Sequence, residues 1–475
     1  MSLGGRLLAS ASFLAYERPA SLLHEIAERM PVPPSPDDRL SLADRFATVK
    51  GAAWKGLLRQ AEAFAYLVAG LPMAVWRAFK GKPSASLPAA EYLHRYYAWT
   101  YWHLPWGPLK AAVAAMMWPI ALIPAIWLFT ARNGKAIAER SGVGVTAQAL
   151  GQAEMAARYG IAPFWYYMFE LYLPERKQQA GLYLTAHETI GPAYALLQPP
   201  EGADFLDDKI WFAEHCHEAG VRAVPVLMHF TRGERRAVKG GVDQLPDTDL
   251  FVKPRSGAGG HRMERWDFIG GGRYRDAHGT VLDREALTEK LARQSLKDDF
   301  LVQPRLKNHP VLDDIANGAL ATVRLLTCRN EQGQPEATNA AFRMAIGNSV
   351  VDNFHQGGLA TAVNLASGEI GIASDIGIRP DVGWRDTHPV SGARFAGRIL
   401  PYWPEVVALA VKAHEAFPGR VVVGWDVAML ADGAMIIEGN GKPDLDIHQR
   451  AERGPAGGAR IAALLAFNVA RRTGA

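Results

Sequence analysis

The chemistry-bearing residues of this chain gather near its C-terminus, in the stretch VVVGWDVAMLADGAMIIEGNGK from Val421 to Lys442. Two apolar runs flank Ala431-Asp432-Gly433, a three-residue turn signal with glycine where left-handed backbone is needed. If Leu430 faces Ala434 across that turn, Asp426 lies directly opposite Glu438. Asn440, two residues further along the second strand, then points to the same side. Two carboxylates so placed repel each other unless something neutralises them. A hard divalent cation does so: Mg²⁺ takes one or two carboxylates together with phosphate oxygens, and Mn²⁺ can replace it. The alternative is an exposed hairpin face bearing solvated acids.

Farther upstream, DLFVKPRSGAGGHRMERW (Asp249 to Trp266) delivers Lys253 at the end of a short strand, Leu250 to Val252. A loop follows with Ser256, Gly257, Gly259 and Gly260. Glycines let backbone N–H groups approach phosphate oxygens, and the lysine adds a point charge. Neither GxxxxGK[ST] nor GxGxxG is present, so this is not a Walker loop or a dinucleotide fingerprint; a plain turn is the competing reading. In DDFLVQPRLKNHP (Asp298 to Pro310) a strand ends at Pro304, and the backbone of Gln303, Pro304 and Arg305 is suited to reading a base edge. Arg324, set among aliphatics in ATVRLLTCRN, requires a phosphate or a structural carboxylate. FRMAIGNSVVDNFHQGGLATAV adds Arg343, Asn353 and His355 beside Gly357-Gly358. His355 is an acid/base or substrate group, or a satisfied loop histidine. Lys209 opens a helix spanning Asp207 to Ala219, where it faces either a cleft or solvent.

The elements that must position these groups need a large folded body. At 475 residues the chain can form two or three domains, and its 49% apolar and 21% charged composition is that of a folded protein. A net charge of +4 argues against a dedicated nucleic-acid binder. The two cysteines, Cys216 and Cys328, read as buried thiols in a reducing compartment. No signal peptide stands out in MSLGGRLLASASFLAYERP. After Pro-rich MPVPPSP, helical periodicity runs from about Leu40 to Phe79. YYAWTYWHLPWGPLK (Tyr96 to Lys110) is dense in aromatics, and Ala111 to Thr130 carries no charge. As a helix this segment would span about 30 Å, a bilayer core. Pro119 and Pro124 favour a bent or monotopic insertion as much as a straight span; a buried core helix is the other reading. From Gly151 on, helical and strand signals alternate, suggesting mixed sheets covered by helices, with Val221 to Met228 as one strand.

The order of parts is informative. VKPRSGAGGHRM, LVQP, TVRLLT, VDNFHQGG, GWDVAM and IIEGNGKPDLD resemble the ATP-grasp superfamily, and within it the sugar-transfer-associated group, over about Asp204 to His448. The resemblance implies an α+β fold in which two lobes clasp ATP; residues 1–145 fall outside it and read from their periodicity and composition as a mainly helical, apolar region. The ATP-grasp part, 146–475, would divide into a pre-grasp part (146–245), a nucleotide-loop lobe (246–310) and a metal-binding lobe (311–475). Lys253 and the Ser256 to Gly260 loop would contact the ATP phosphates, and Gln303 to Arg305 the adenine. Arg324 would lie near the transferred phosphate, with Asn353 and His355 in the acceptor pocket. Asp426, Glu438 and Asn440 would form the Mg²⁺ set, although many members carry a second acid where this chain has Asn440. The implied activity is ATP-dependent ligation of a carboxylate to an amine through an acylphosphate, in cell-surface polysaccharide or sugar-linked biosynthesis. A small-molecule kinase and a non-catalytic nucleotide-binding scaffold are the alternatives. Small-molecule substrates are the expected partners, with membrane contact through residues 96–130 and a cytoplasmic location at the inner face of the cell membrane.

Overall fold

The computed structural model describes residues 75–200, 202, 204–255, 262–346, 354, 357–378 and 383–474. Ser256, Gly257, Gly259, Gly260, Asn353, His355 and the helical stretch expected before residue 75 lie outside the described residues.

Two sheets dominate the described chain. The first contains β1 (Met228–Thr231), β2 (Glu234–Arg236), β3 (Leu250–Pro254), β4 (Glu264–Phe268), β5 (Arg273–Asp276), β6 (Val281–Asp283) and β7 (Phe300–Pro304), in the order β2-β1-β7-β3-β4-β5-β6. The second contains β8 (Thr322–Arg329), β9 (Pro335–Met344), β10 (Leu359–Val363), β11 (Ile370–Ser374), β12 (Val422–Leu430) and β13 (Gly433–Asn440), in the order β11-β10-β9-β8-β12-β13. Every strand pairing within these sheets is antiparallel, not mixed as the alternation of signals suggested. The physical reason lies in the connections: β1-β2, β4-β5, β8-β9 and β12-β13 are joined by short turns, which reverse the chain, whereas parallel pairs need a long crossover. Val221 to Met228 is likewise not one strand. Pro225 lacks a backbone donor. The stretch bonds to β13 on one side of it (Ile436 N to Arg222 O and Val224 N to Ile436 O, each 2.9 Å) and to β7 on the other (Leu227 N to Val302 O, 2.8 Å).

The helices that matter for the site are α1 (Ala89–His103), α2 (Gly107–Ser141), α3 (Val145–Tyr159), α4 (Lys209–Glu218), α5 (Arg284–Gln294), α6 (Trp403–Glu415), α7 (Asp446–Ala451) and α8 (Arg460–Thr473). Asp208 starts α4 by accepting from Ile210 N at 3.0 Å and Trp211 N at 3.3 Å, a cap whose loss costs about 1 kcal/mol. Three cores result. Leu250, Val252, Val302 and Trp266 on one face of the first sheet pack with Leu287 and Leu291 of α5. Val323, Leu325, Val423, Trp425 and Val427 on one face of the second sheet pack with Phe212 of α4 and Val406 and Ala410 of α6. The other face contributes Leu326, Cys328, Ala341 and Val422 to a cluster that holds Tyr92 and Tyr96 of α1, Ile137 of α2, Met155 of α3 and Ile461 and Leu465 of α8. Residues on both sides of position 145 thus pack in one cluster. Both cysteines are free and buried.

Among the described residues, α2 is the one helix long and apolar enough to cross a membrane. Pro119 and Pro124 lie within it. Its Ala121, Leu122, Ala125 and Leu128 are buried, whereas Leu109, Val113, Met116, Ile120, Ile123 and Trp127, stepping by three and four residues, are exposed. Such spacing places them on one side of the helix.

Candidate functional site

The turn of the β12-β13 hairpin is shorter than the sequence suggests: Leu430 pairs with Gly433, leaving two residues in the loop. Gly433 has φ +121°, a value that glycine alone adopts easily. A bulge then inserts Ile437, because Val427 pairs with Ile436 while Asp426 pairs with Glu438. The shortened loop and the extra residue offset each other, so Asp426 does stand opposite Glu438, and Gly424 opposite Asn440. On the other side of β12, Asp426 pairs with Arg324 of β8, which in turn pairs with Ala341 of β9. Directly opposed residues share a face, so Glu438, Asp426 and Arg324 form a row across the sheet. Arg343, two residues beyond Ala341, joins it.

Asp426 is the hub of the row and is nearly inaccessible to solvent, at 4% exposure. Arg324 grips it with two nitrogens, Nε to Oδ1 and Nη2 to Oδ2 at 3.0 Å, and Arg343 Nη2 approaches Oδ2 at 2.9 Å. Burial pushes the carboxyl upward in pKa, but the two guanidinium groups outweigh it and hold Asp426 at about 2. Of the two partners the sequence left open for Arg324, the structure supplies a carboxylate. Arg343 is further fixed by Thr322, whose hydroxyl accepts from its Nε at 3.2 Å.

From the first sheet, Lys253 reaches the same region. Lys253 pairs with Leu301 and Phe251 with Gln303, so Lys253 and Gln303 share the face of that sheet turned away from its core. Both are buried nonetheless. Burial draws the Lys253 ammonium down to about 8; Glu438 and Asp426 pull it back up, and Lys209 pushes it down. Lys209 is half-buried and donates to the Arg255 carbonyl at 3.4 Å, which places it toward the cleft and not in open solvent. Arg255, immediately before the glycine-rich segment, is anchored by Asp208 (Nη2 to Oδ2 2.6 Å) and Asp299 (3.5 Å). Gln303 and Pro304 end β7, whereas the Arg305 side chain is committed to Asp267 of β4 and to Asp249 just before β3. The chain then crosses to the second sheet, where His309 N donates to Met429 O at 2.7 Å.

A hard cation fits this donor set. Glu438 makes no ion pair among the described residues, and Asn440 Nδ2 donates to Gly424 O at 3.2 Å, so its amide oxygen is not spent on that bond. Asp426 already accepts from two arginines, but a carboxylate has about four lone-pair sites. No cluster of three or more His, Cys, Asp or Glu side chains suited to an ion occurs among the described residues, so an ion at these residues would need further oxygen ligands from its substrate or from water.

Sequence reasoning passed over His448 and Asp444. His448 sits on α7, is 1% exposed, and neither ring nitrogen has a hydrogen-bond partner among the described residues. Burial first, then Arg324 and Arg343, drive its pKa down to about 3 against the opposing pull of Asp444 and Asp426, so the ring is neutral. The available signal was continuity: DLDIHQ follows the Glu438-Asn440 strand directly.

The sugar-transfer associated ATP-grasp family matches residues 194–456, more than half of the chain. No curated protein matches the sequence. Among solved structures, the L-amino acid ligase from Bacillus licheniformis shares 13% identity over 50% of this chain and 40% of its own, with a TM-score of 0.28. The N5-carboxyaminoimidazole synthase from Aspergillus clavatus, in complex with ADP and its ribonucleotide, shares 11% over 57% of each chain, with a TM-score of 0.33. The D-alanine–D-alanine ligase from Bacillus anthracis complexed with ATP shares 11% over 57% of this chain and 68% of that one, with a TM-score of 0.33. The match thus spans 40% and 57% of the first two of these structures.

Proposed function

The chain belongs to the sugar-transfer associated ATP-grasp family, and on that premise we propose that it is an ATP-dependent ligase joining a carboxylate to an amine or similar nucleophile. The observation that carries this reading is the meeting of Lys253, from one sheet, with the Glu438-Asp426-Arg324 row of the other. A cation site beside a buried lysine and arginine is what charge neutralisation on a transferring phosphoryl group requires.

In the proposed reaction a carboxylate oxygen of the acid attacks the γ-phosphorus of ATP. The bond to the β,γ-bridging oxygen breaks, and ADP leaves. An amine then attacks the acyl carbon, inorganic phosphate departs, and the amine gives up a proton. Asp426, Glu438 and Asn440 would hold Mg²⁺, which when bound offsets the negative charge of the phosphates. Lys253 and the segment Ser256 to Gly260 would bind the phosphates, with Arg324 toward the transferred group. Gln303 to Arg305 form the adenine hinge. Asn353 and His355, between β9 and β10 in the sequence, would be the acceptor-side residues. Substrates from cell-surface polysaccharide or sugar-linked biosynthesis are proposed on the family's description as sugar-transfer associated alone.

We also propose that this protein rests on a lipid surface at the inner face of the cell membrane, a reading that the exposed apolar side of α2 supports. From Tyr92 to Ala138 the sequence has no acidic residue but contains Arg95, Lys110, Arg132 and Lys135, a charge complementary to anionic headgroups. Trp106 and Trp127 bound the apolar stripe. Flotation of the full chain with phosphatidylethanolamine and phosphatidylglycerol vesicles tests this. The chain should float, and the double substitution Ile120→Glu, Ile123→Glu should cut the bound fraction about tenfold with an unchanged Tm. A chain that stays in the supernatant, or a dimer that the same substitutions dissociate, would overturn it.

For the reaction, purified protein is incubated with MgATP and pools of acids and amines, and products are read by mass. A new amide with equimolar ADP and phosphate is expected. A phosphorylated product without amide would point to the kinase alternative, and saturable ATP binding without turnover to a scaffold.

A further inference from the structure

The polar row has two ends. Lys253 is acted on by Glu438, Lys209 and Asp426, which places it toward β13. His448 lies on α7, which packs against β9, and there it feels the charges of Arg324, Asp444, Arg343 and Asp426. Asp426 is common to both, and the four strands from β13 to β9 span roughly 14 Å at ordinary strand spacing. One end therefore faces the residues assigned to nucleotide phosphates, and the other faces something else.

Helix α7 covers that other end, lying across β9, β10 and β11. All six of its residues are buried although most are polar. Its polar side chains are otherwise committed to the surrounding fold. Asp446 accepts from Trp165 Nε1 at 2.8 Å. Gln449 accepts from Leu184 N at 3.0 Å and donates to Leu184 O at 2.8 Å. Arg450 donates to Met168 O and Ser374 Oγ, each at 2.7 Å. These bonds fix the helix and so fix His448, whose two nitrogens are buried and unpartnered among the described residues. Buried polar groups are almost always satisfied, and one that is not, held rigidly beside two arginines, marks a place that a ligand completes.

We infer that the β9 end of the row is a second binding site, in which His448, flanked by Arg343 and Arg324, donates to an oxyanion of the acid substrate or of the phosphoryl group it accepts. This rests on the ligase reading above. Two guanidinium groups disfavour a cationic ligand there, and a neutral imidazole offers one N–H donor to an acid oxygen. Enclosure at this depth also keeps water from an acylphosphate before the amine reaches it.

The test uses the full chain, ¹⁵N-labelled at histidine and saturated with MgADP, titrated separately with inorganic phosphate and with acetate. The His448 ring nitrogens should shift with either probe. His448→Ala should weaken binding of that probe at least tenfold while leaving MgADP affinity within twofold, and His448→Gln, which keeps an N–H donor of similar reach, should restore part of it. Response to acetate alone assigns the substrate carboxylate; response to phosphate alone assigns the transferred group. An unshifted ring at saturating phosphate and acetate overturns the inference in the wild-type chain, whether or not either variant folds. So does unchanged probe affinity in a folded His448→Ala variant. Failure of the wild type to bind MgADP would instead sink the ligase reading itself.

Discussion

Replacing Asp426 by asparagine tests the hub of the site through stability. The substitution keeps the shape but removes the charge that Arg324 and Arg343 share, leaving two guanidinium groups, whose side chains are 13% and 11% exposed, facing a neutral amide. The two arginines hold Asp426 at about 2 in the fold against 3.8 in its ordinary state, so its charged form stabilises the native chain at neutral pH. Breaking a buried pair by removing one partner costs about 3–5 kcal/mol in other proteins, so a loss of about 3 kcal/mol at pH 7 is expected. The sign with pH follows from the depressed value. The contribution is present above about 4 and is lost as pH falls toward 2, so the gap between wild type and Asp426→Asn should narrow between pH 5 and about 2.5. Urea unfolding followed by tryptophan fluorescence at both pH values measures it. Midpoints within about 0.5 kcal/mol of each other at pH 7, or a gap that does not change with pH, would refute the clamp.

Lys253→Met should separate stability from function. Burial holds this lysine at about 8 instead of 10.5, which costs the native state up to about 3 kcal/mol at pH 7, a penalty full below pH 8 and gone as pH rises to 10.5. The variant should therefore unfold at higher urea at pH 7, with the advantage fading by pH 10.5, while its ATP affinity in calorimetry drops about 10- to 100-fold; a destabilised variant with intact ATP binding contradicts both roles. Glu438→Gln, at a carboxylate with no ion pair among the described residues, should shift stability by no more than about 0.5 kcal/mol. Its MgATP-dependent ADP release should fall by about two orders of magnitude; retained turnover in a coupled assay would remove Glu438 from the metal set.

Much of the site's layout was legible because strand side chains alternate. The facing of Asp426 and Glu438 follows from pairing across a turn, but the pairing was reached through a three-residue loop and a regular ladder. The chain instead uses a two-residue loop and a bulge at Ile437. No local residue preference distinguishes the two, since both conserve the register at the carboxylates. Arg324 announced its need for a partner by standing among aliphatics, yet its carboxylate lies on a strand a hundred residues away, and only the sheet order reveals it. His448 was opaque for the opposite reason. A helix reading DIHQRA is polar on every side and suggests solvent. Its burial depends on Trp165, Leu184 and Met168, which no pattern near residue 448 encodes. Val221 to Met228 misled because apolar content alone does not provide donors: Pro225 breaks the ladder where the chain changes sheets.

That change of sheets has a mechanical corollary. The backbone passes between the two sheets at Arg222–Leu227, tied to Ile436 and then to Val302, and again after β7, tied at His309 to Met429. Both crossings engage β7 on one side and the β12-β13 hairpin on the other. A rigid opening that keeps these ties intact must turn about the line joining them, like the covers of a book about its spine. Glu438 stands two residues from Ile436, and Lys253 pairs with Leu301 beside Val302, so both groups sit close to that spine and would move little relative to each other as the covers turn.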